Sequence, residues 1–117
     1  MAPSTPRPGG KVRGSHTGRP IMVLLDALGR RWALRVLWEL RAGELSFRAL
    51  GEAAGGVSPT VLNDRLAELR ELGLIALGPG GYALTDDGHE LAALLLPLDA
   101  WARGWARRRS GAKVAPP

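Results

Sequence analysis

Val57-Ser58-Pro59-Thr60-Val61-Leu62-Asn63-Asp64-Arg65-Leu66 is the most sharply patterned stretch of this 117-residue chain. Serine is a good helix N-cap because its hydroxyl accepts from a backbone N–H of the first turn, and proline suits the first helical position, where no N–H is needed. Leu62, Leu66, Leu69 and Leu72 then hold one face until Gly73 ends the run, which predicts a helix over 58–72. The opposite face carries Thr60, Asn63, Asp64 and Ala67, a polar strip with no core to serve.

Just upstream, Gly55-Gly56 closes another helix that Ser46 starts and that buries Phe47, Leu50 and Ala54. Before it, Gly43-Glu44-Leu45 reads as a short strand. Trp32, Val36, Leu37 and Leu40, widened by Leu34 and Trp38, give a largely buried helix. Ile21, Leu24, Leu25 and Leu28 give the first helix, from Pro20 to Gly29. Downstream, Leu74-Ile75-Ala76-Leu77 and Tyr82-Ala83-Leu84 flank Gly78-Pro79-Gly80-Gly81, a hairpin with a glycine-rich turn. Thr85 caps a long last helix with acids in its first turn and Arg107, Arg108 and Arg109 at its end, and Pro97 is expected to kink it. The fold class is mainly α with a small antiparallel β-hairpin, in the order α-α-β-α-α-β-β-α, a winged helix-turn-helix.

Two helices joined by a short glycine turn allow the first to lie over a DNA backbone while the second enters the major groove. Asn63 then pairs with adenine, and Thr60 meets a thymine methyl or a phosphate. The helix start at Ser58 and Pro59 presents free N–H groups to a phosphate oxygen, as do Ser46 and Arg48 at the preceding helix. Arg30 and Arg31 are further phosphate contacts. Arg65 lies at the edge of the leucine stripe, with its head in reach of either DNA or an acid. Asp64 belongs to the same face, although its charge opposes phosphate.

The formal charge of +5 is unevenly placed: +4 in residues 1–19, +5 in 103–117 and −4 between them. Three regions follow: a basic arm over 1–19 expected to be disordered, with Arg7, Lys11, Arg13 and Arg19; a DNA-binding domain over 20–109; and a flexible tail over 110–117. With no cysteine, disulfides, thiolate metal sites and thiol nucleophiles are excluded. No apolar run is long enough for a transmembrane helix or signal peptide, so a cytoplasmic protein without a membrane partner is expected. Asp86-Asp87-Gly88-His89-Glu90 fits dipole-stabilising acids better than a metal site. No cofactor motif or catalytic constellation is found, so no enzyme is expected. The acidic middle and uncharged wing leave one alternative, a winged-helix module that binds protein rather than DNA.

Leu91, Leu94, Leu98, Trp101 and Trp105 recur at alternating spacings of three and four, a seam suited to a second helix, and with Ile21, Leu24 and Leu25 they form the expected dimer interface. The chain resembles the HxlR-type winged helix-turn-helix regulators over roughly Pro20 to Trp105. The likeness rests on Leu28-Gly29-Arg30-Arg31-Trp32, Gly43-Glu44-Leu45-Ser46-Phe47 with Leu50, the Val57–Leu66 run with Leu69, Gly73-Leu74, and Tyr82-Ala83-Leu84-Thr85 with Gly88. It implies a homodimeric transcriptional regulator whose first and last helices pair and whose 58–72 helix reads each half of an inverted repeat. Two departures stand out. Arg19 replaces the cysteine usual before the proline, and the wing turn has no basic residue. A small-molecule effector is expected, if at all, in an apolar pocket near Trp32, Trp38 and the last helix.

Overall fold

A computed structural model describes residues 18–111. Its elements are α1 (Pro20–Leu28), α2 (Ala33–Leu40), α3 (Phe47–Ala54), α4 (Pro59–Glu71), β1 (Ile75–Gly78), β2 (Gly81–Leu84) and α5 (Asp86–Arg109). Helix starts follow the caps. Ser46 Oγ accepts from Ala49 N at 3.1 Å, Ser58 Oγ from Val61 N at 3.2 Å, and Thr85 Oγ1 from Gly88 N at 3.1 Å. Each cap satisfies one of the N–H groups that a helix start leaves without an internal partner.

The end of α4 is a Schellman motif. Leu74 N donates to Leu69 O and Gly73 N to Arg70 O, with Gly73 at φ 76°. That motif consumes Leu74, so the first strand begins at Ile75 rather than Leu74. The pairing Ile75↔Leu84 through Gly78↔Gly81 brings both outer glycines into the ladder and leaves a two-residue turn, Pro79-Gly80. The expected strand at 43–45 shrinks to a single bridge, in which Leu45 and Tyr82 exchange both backbone hydrogen bonds. A longer pairing is blocked because the chain must turn at Ser46 to start α3.

The core gathers Val36, Leu37 and Leu40 of α2, Leu50 of α3, Leu62, Leu66 and Leu69 of α4, and Ile75, Tyr82 and Leu84 of the hairpin. Helix α2 lies at its centre, against α1, α3, α4, α5 and β2. The second helix starts one residue later than its apolar pattern, since Trp32 is the N-cap in the left-handed region at φ 79°. A non-glycine there costs about 1 kcal/mol, offset by half-burial of the indole and by the Arg31 guanidinium 5.3 Å from its ring centre. Helix α5 continues through Pro97 without a break. Among the described residues no helix is long and apolar enough to cross a membrane, and no three acidic or histidine side chains gather to hold a metal.

Candidate nucleic-acid interface

Helices α3 and α4 are joined by Gly55 and Gly56, at φ 75° and 111°, followed by Val57. These left-handed conformations, cheap only for glycine, turn the chain sharply enough to pack α4 on the core through Leu62, Leu66 and Leu69. The outward face then follows from helical geometry. Ser58, Pro59, Thr60, Asn63, Asp64 and Ala67 are all exposed.

Ser46 and Arg48 lie at the start of α3 and are exposed too. Arg48 is 90% exposed, and its Nε is 3.6 Å from Glu52 Oε2, a loose pair that a phosphate can displace. Arg31 is exposed beside the start of α2.

Arg30 and Arg65 are placed differently. Arg65 Nε donates to the Arg31 carbonyl at 3.0 Å and Nη1 to Glu68 Oε1 at 2.6 Å, leaving its side chain 16% exposed. Arg30 Nη1 reaches the other oxygen of Glu68 at 3.3 Å. Glu68, which was not singled out from the sequence, thus holds both guanidiniums and ties α4 to the turn between α1 and α2. Its signal was the three-residue spacing from Arg65, a pair that helical geometry brings together. Arg65 therefore positions the helix instead of projecting from it, whereas Arg30 makes one longer contact with Glu68 and keeps 34% of its side chain exposed.

The wing carries no charged side chain from Ile75 to Leu84. Gly80 at its tip packs against the Glu44 carboxylate. Arg7, Lys11 and Arg13 of the basic arm lie outside the described residues, as does Lys113 of the tail.

Of the expected dimer residues, Leu24 and Leu91 pack partly against the protomer's own core. Ile21, Leu25, Leu94, Leu98, Trp101 and Trp105 are exposed, Leu94 by 69%. A groove of about 340 Å³ between α2 and α5 is lined by Leu34, Trp38, Leu95 and Leu98 with Arg35 and Asp99. Trp38 belongs to it, capped by Arg41 at 3.8 Å from the ring centre, whereas Trp32 does not.

Comparison with known proteins places this arrangement. The sequence model of the HxlR-like helix-turn-helix family matches residues 27–110. YvaP of Bacillus subtilis, an HTH-type transcriptional regulator, is 32% identical over 88 residues, covering 69% of this chain and 82% of its own length. A second HTH-type transcriptional regulator, from Mycobacterium tuberculosis, is 32% identical over 111 residues, covering 89% of this chain and 67% of its own. Among solved structures, an HxlR-family factor from Thermoplasma volcanium superposes with a TM-score of 0.68 at 27% identity, over 75% of this chain and 85% of that one. Quinone-bound YodB from Bacillus subtilis gives 0.66 at 29%, over 73% and 97%. Since the family's sequence model spans residues 27–110, from the end of α1 through α5, the chain belongs to the HxlR-like helix-turn-helix family of transcriptional regulators.

Proposed function

We propose that the protein is a sequence-specific double-stranded DNA-binding regulator that acts as a homodimer, with α4 in the major groove at each half of an inverted repeat. The observation that carries this reading is the outward face of α4. Thr60, Asn63 and Ala67 stand exposed next to two serine-capped helix starts, on a helix fixed from behind by three buried leucines.

Each side chain has a separate role. Asn63 donates to and accepts from one adenine edge, and Thr60 contacts a thymine methyl or the adjoining phosphate. Ser46, Ser58, Pro59, Arg48 and Arg31 line the backbone path, where helix N-termini and guanidiniums favour phosphate. Arg30 and Arg65 set the tilt of α4 through Glu68. Asp64 repels phosphate and accepts from a cytosine amino group. Exposed Ile21, Leu25, Leu94, Leu98, Trp101 and Trp105 support the homodimer, since monomers rarely leave so large an apolar patch in water. For a small-molecule effector the supporting feature is the apolar groove beside Trp38.

Binding measured on a selected operator and on random duplex separates these roles. Asn63→Ala lowers discrimination at one base pair by about 1–3 kcal/mol and leaves random binding unchanged. Arg48→Ala weakens both duplexes alike and reduces the salt slope of log K by about one unit. Equal losses on both duplexes for Asn63→Ala remove it as a base reader.

A further inference from the structure

A groove of about 380 Å³ runs between α1 and the N-terminal part of α5. Its floor is apolar, with Val23 and Leu74 buried and Leu24 and Leu91 half-buried, whereas Asp87 and Glu90 on its α5 side are exposed. Among the described residues, neither acid has an ion-pair partner. The helix dipole accounts for an acid at Asp87 in the first turn, but Glu90 lies beyond that turn. Of the exposed apolar side chains that support the homodimer, only Leu94 borders this groove.

The end of the described chain lies at the mouth of the groove, since Pro20 is one of its lining residues. Two residues earlier Gly18 is buried and sits at φ 64°, so the backbone leaves α1 with a left-handed turn rather than straight out into water. The sequence before it supplies matching chemistry. Residues 1–17 carry Arg7, Lys11 and Arg13 and no acid, and Lys11-Val12-Arg13 sets an aliphatic side chain between two bases. In extended backbone neighbouring side chains alternate, so Val12 points one way and the two cations the other. Reach is ample: the eight steps from Val12 to Pro20 span up to about 27 Å, while Asp87 to Leu94 covers about 10 Å of helix.

We propose that Lys11-Val12-Arg13 docks across this groove of its own chain, with Val12 on the apolar floor and the two cations reaching over the rim to Asp87 and Glu90. Long basic side chains suit that geometry, because their stems cover apolar surface while their heads stay in water beside the acids. The docking needs neither DNA nor a second copy. Docked, the two cations are neutralised by the chain's own acids, and their charge reaches a polyanion only when the arm leaves the groove. The groove therefore competes with nucleic acid for the arm, whatever sequence α4 reads.

Because the chain has no cysteine, two introduced thiols report where the arm lies. Leu94 borders the groove and is 69% exposed, and Leu25 is 52% exposed but does not line it. Leu25 is also far closer to Val12 along the chain, so an undirected arm meets it at least as often. Under mild oxidation of the full chain, Val12→Cys/Leu94→Cys is expected to close an intramolecular disulfide about tenfold faster than Val12→Cys/Leu25→Cys. Adding Lys11→Glu/Arg13→Glu removes that advantage, as does adding Asp87→Lys/Glu90→Lys, and combining both charge reversals restores it. Should the reversal at Asp87 disturb folding, as thermal unfolding would reveal, Glu90→Lys alone shows the same effect in smaller measure. Equal closure to Leu25 and Leu94, a rate indifferent to the charge reversals, or a disulfide that forms between copies instead of within one overturns the docking and gives the groove to another occupant.

Discussion

Gly88→Ala is expected to destabilise the protein by about 2 kcal/mol, the reverse of what an alanine inside a helix usually does. In an exposed helix the exchange gains about 1 kcal/mol, because glycine has the larger backbone entropy to lose. Gly88, however, is buried in the first turn of α5, where a methyl group would overlap the Leu74 carbonyl and lie 3.2 Å from Leu84 Cβ. The carbonyl cannot step aside. It accepts from Thr85 N at 3.1 Å, and Leu74 N is itself held by Leu69 O at the end of α4. Overpacking against fixed backbone costs about 3 kcal/mol, which outweighs the propensity gain. Thermal unfolding checks this, with the midpoint expected to fall by about 10 °C for a domain of this size. An unchanged or raised midpoint rejects the close approach of α5 to the hairpin.

Leu66→Ala is expected to cost about 2–5 kcal/mol, since the side chain is 1% exposed and its removal leaves a cavity between α4 and α2. Against a total of about 5–15 kcal/mol, that is a large share of the stability. The consequence for DNA is distinct from that of Asn63→Ala. Where Leu66→Ala still folds, at low temperature, it keeps the ratio of specific to random binding while losing urea resistance. Asn63→Ala keeps the urea midpoint and loses the ratio. If both variants move the same quantity, α4 does not divide into a buried seat and an outward reading face.

The parts of the molecule that can be read from its sequence are those fixed by neighbours in the chain. Ser46, Ser58 and Thr85 each cap a helix through an N–H three residues on, and Gly73 closes α4 through carbonyls within the same turn. The leucine stripe of α4 and the glycine turn before it are equally local. What escapes is long-range. Glu68 meets Arg30 across 38 positions and Arg65 reaches the Arg31 carbonyl across 34. No periodicity encodes those contacts, so the sequence leaves Arg65 open between DNA and an acid and gives Arg30 as a phosphate contact, whereas in the fold both reach Glu68. Leu45 is similar, because its single bridge to Tyr82 depends on where the hairpin folds back. Trp32 fits the apolar period of α2 but takes the left-handed cap, a choice set by its packing and by Arg31.

The burial of Arg65, and the pairing of half-exposed Arg30 with the same Glu68, change the electrostatics around α4. Around α4 the exposed cations are Arg31, Arg48 and Arg70, set against Asp64, Glu52 and Glu71. Non-specific affinity, which follows phosphate neutralisation, is therefore expected to be modest from this face of one protomer. On the proposed reading, base contacts and the doubling of the site in a dimer are then expected to carry a larger part of recognition.

The reading of α4 as a base-reading helix is tested most directly by mixing the protein with fragmented genomic DNA at low salt, recovering what it retains and sequencing it. The expected result is a small set of fragments sharing an inverted repeat, with half-site centres about 34–36 Å apart or a multiple of one helical turn. Retention of no duplex at low salt would contradict it and leave a winged helix that binds protein instead.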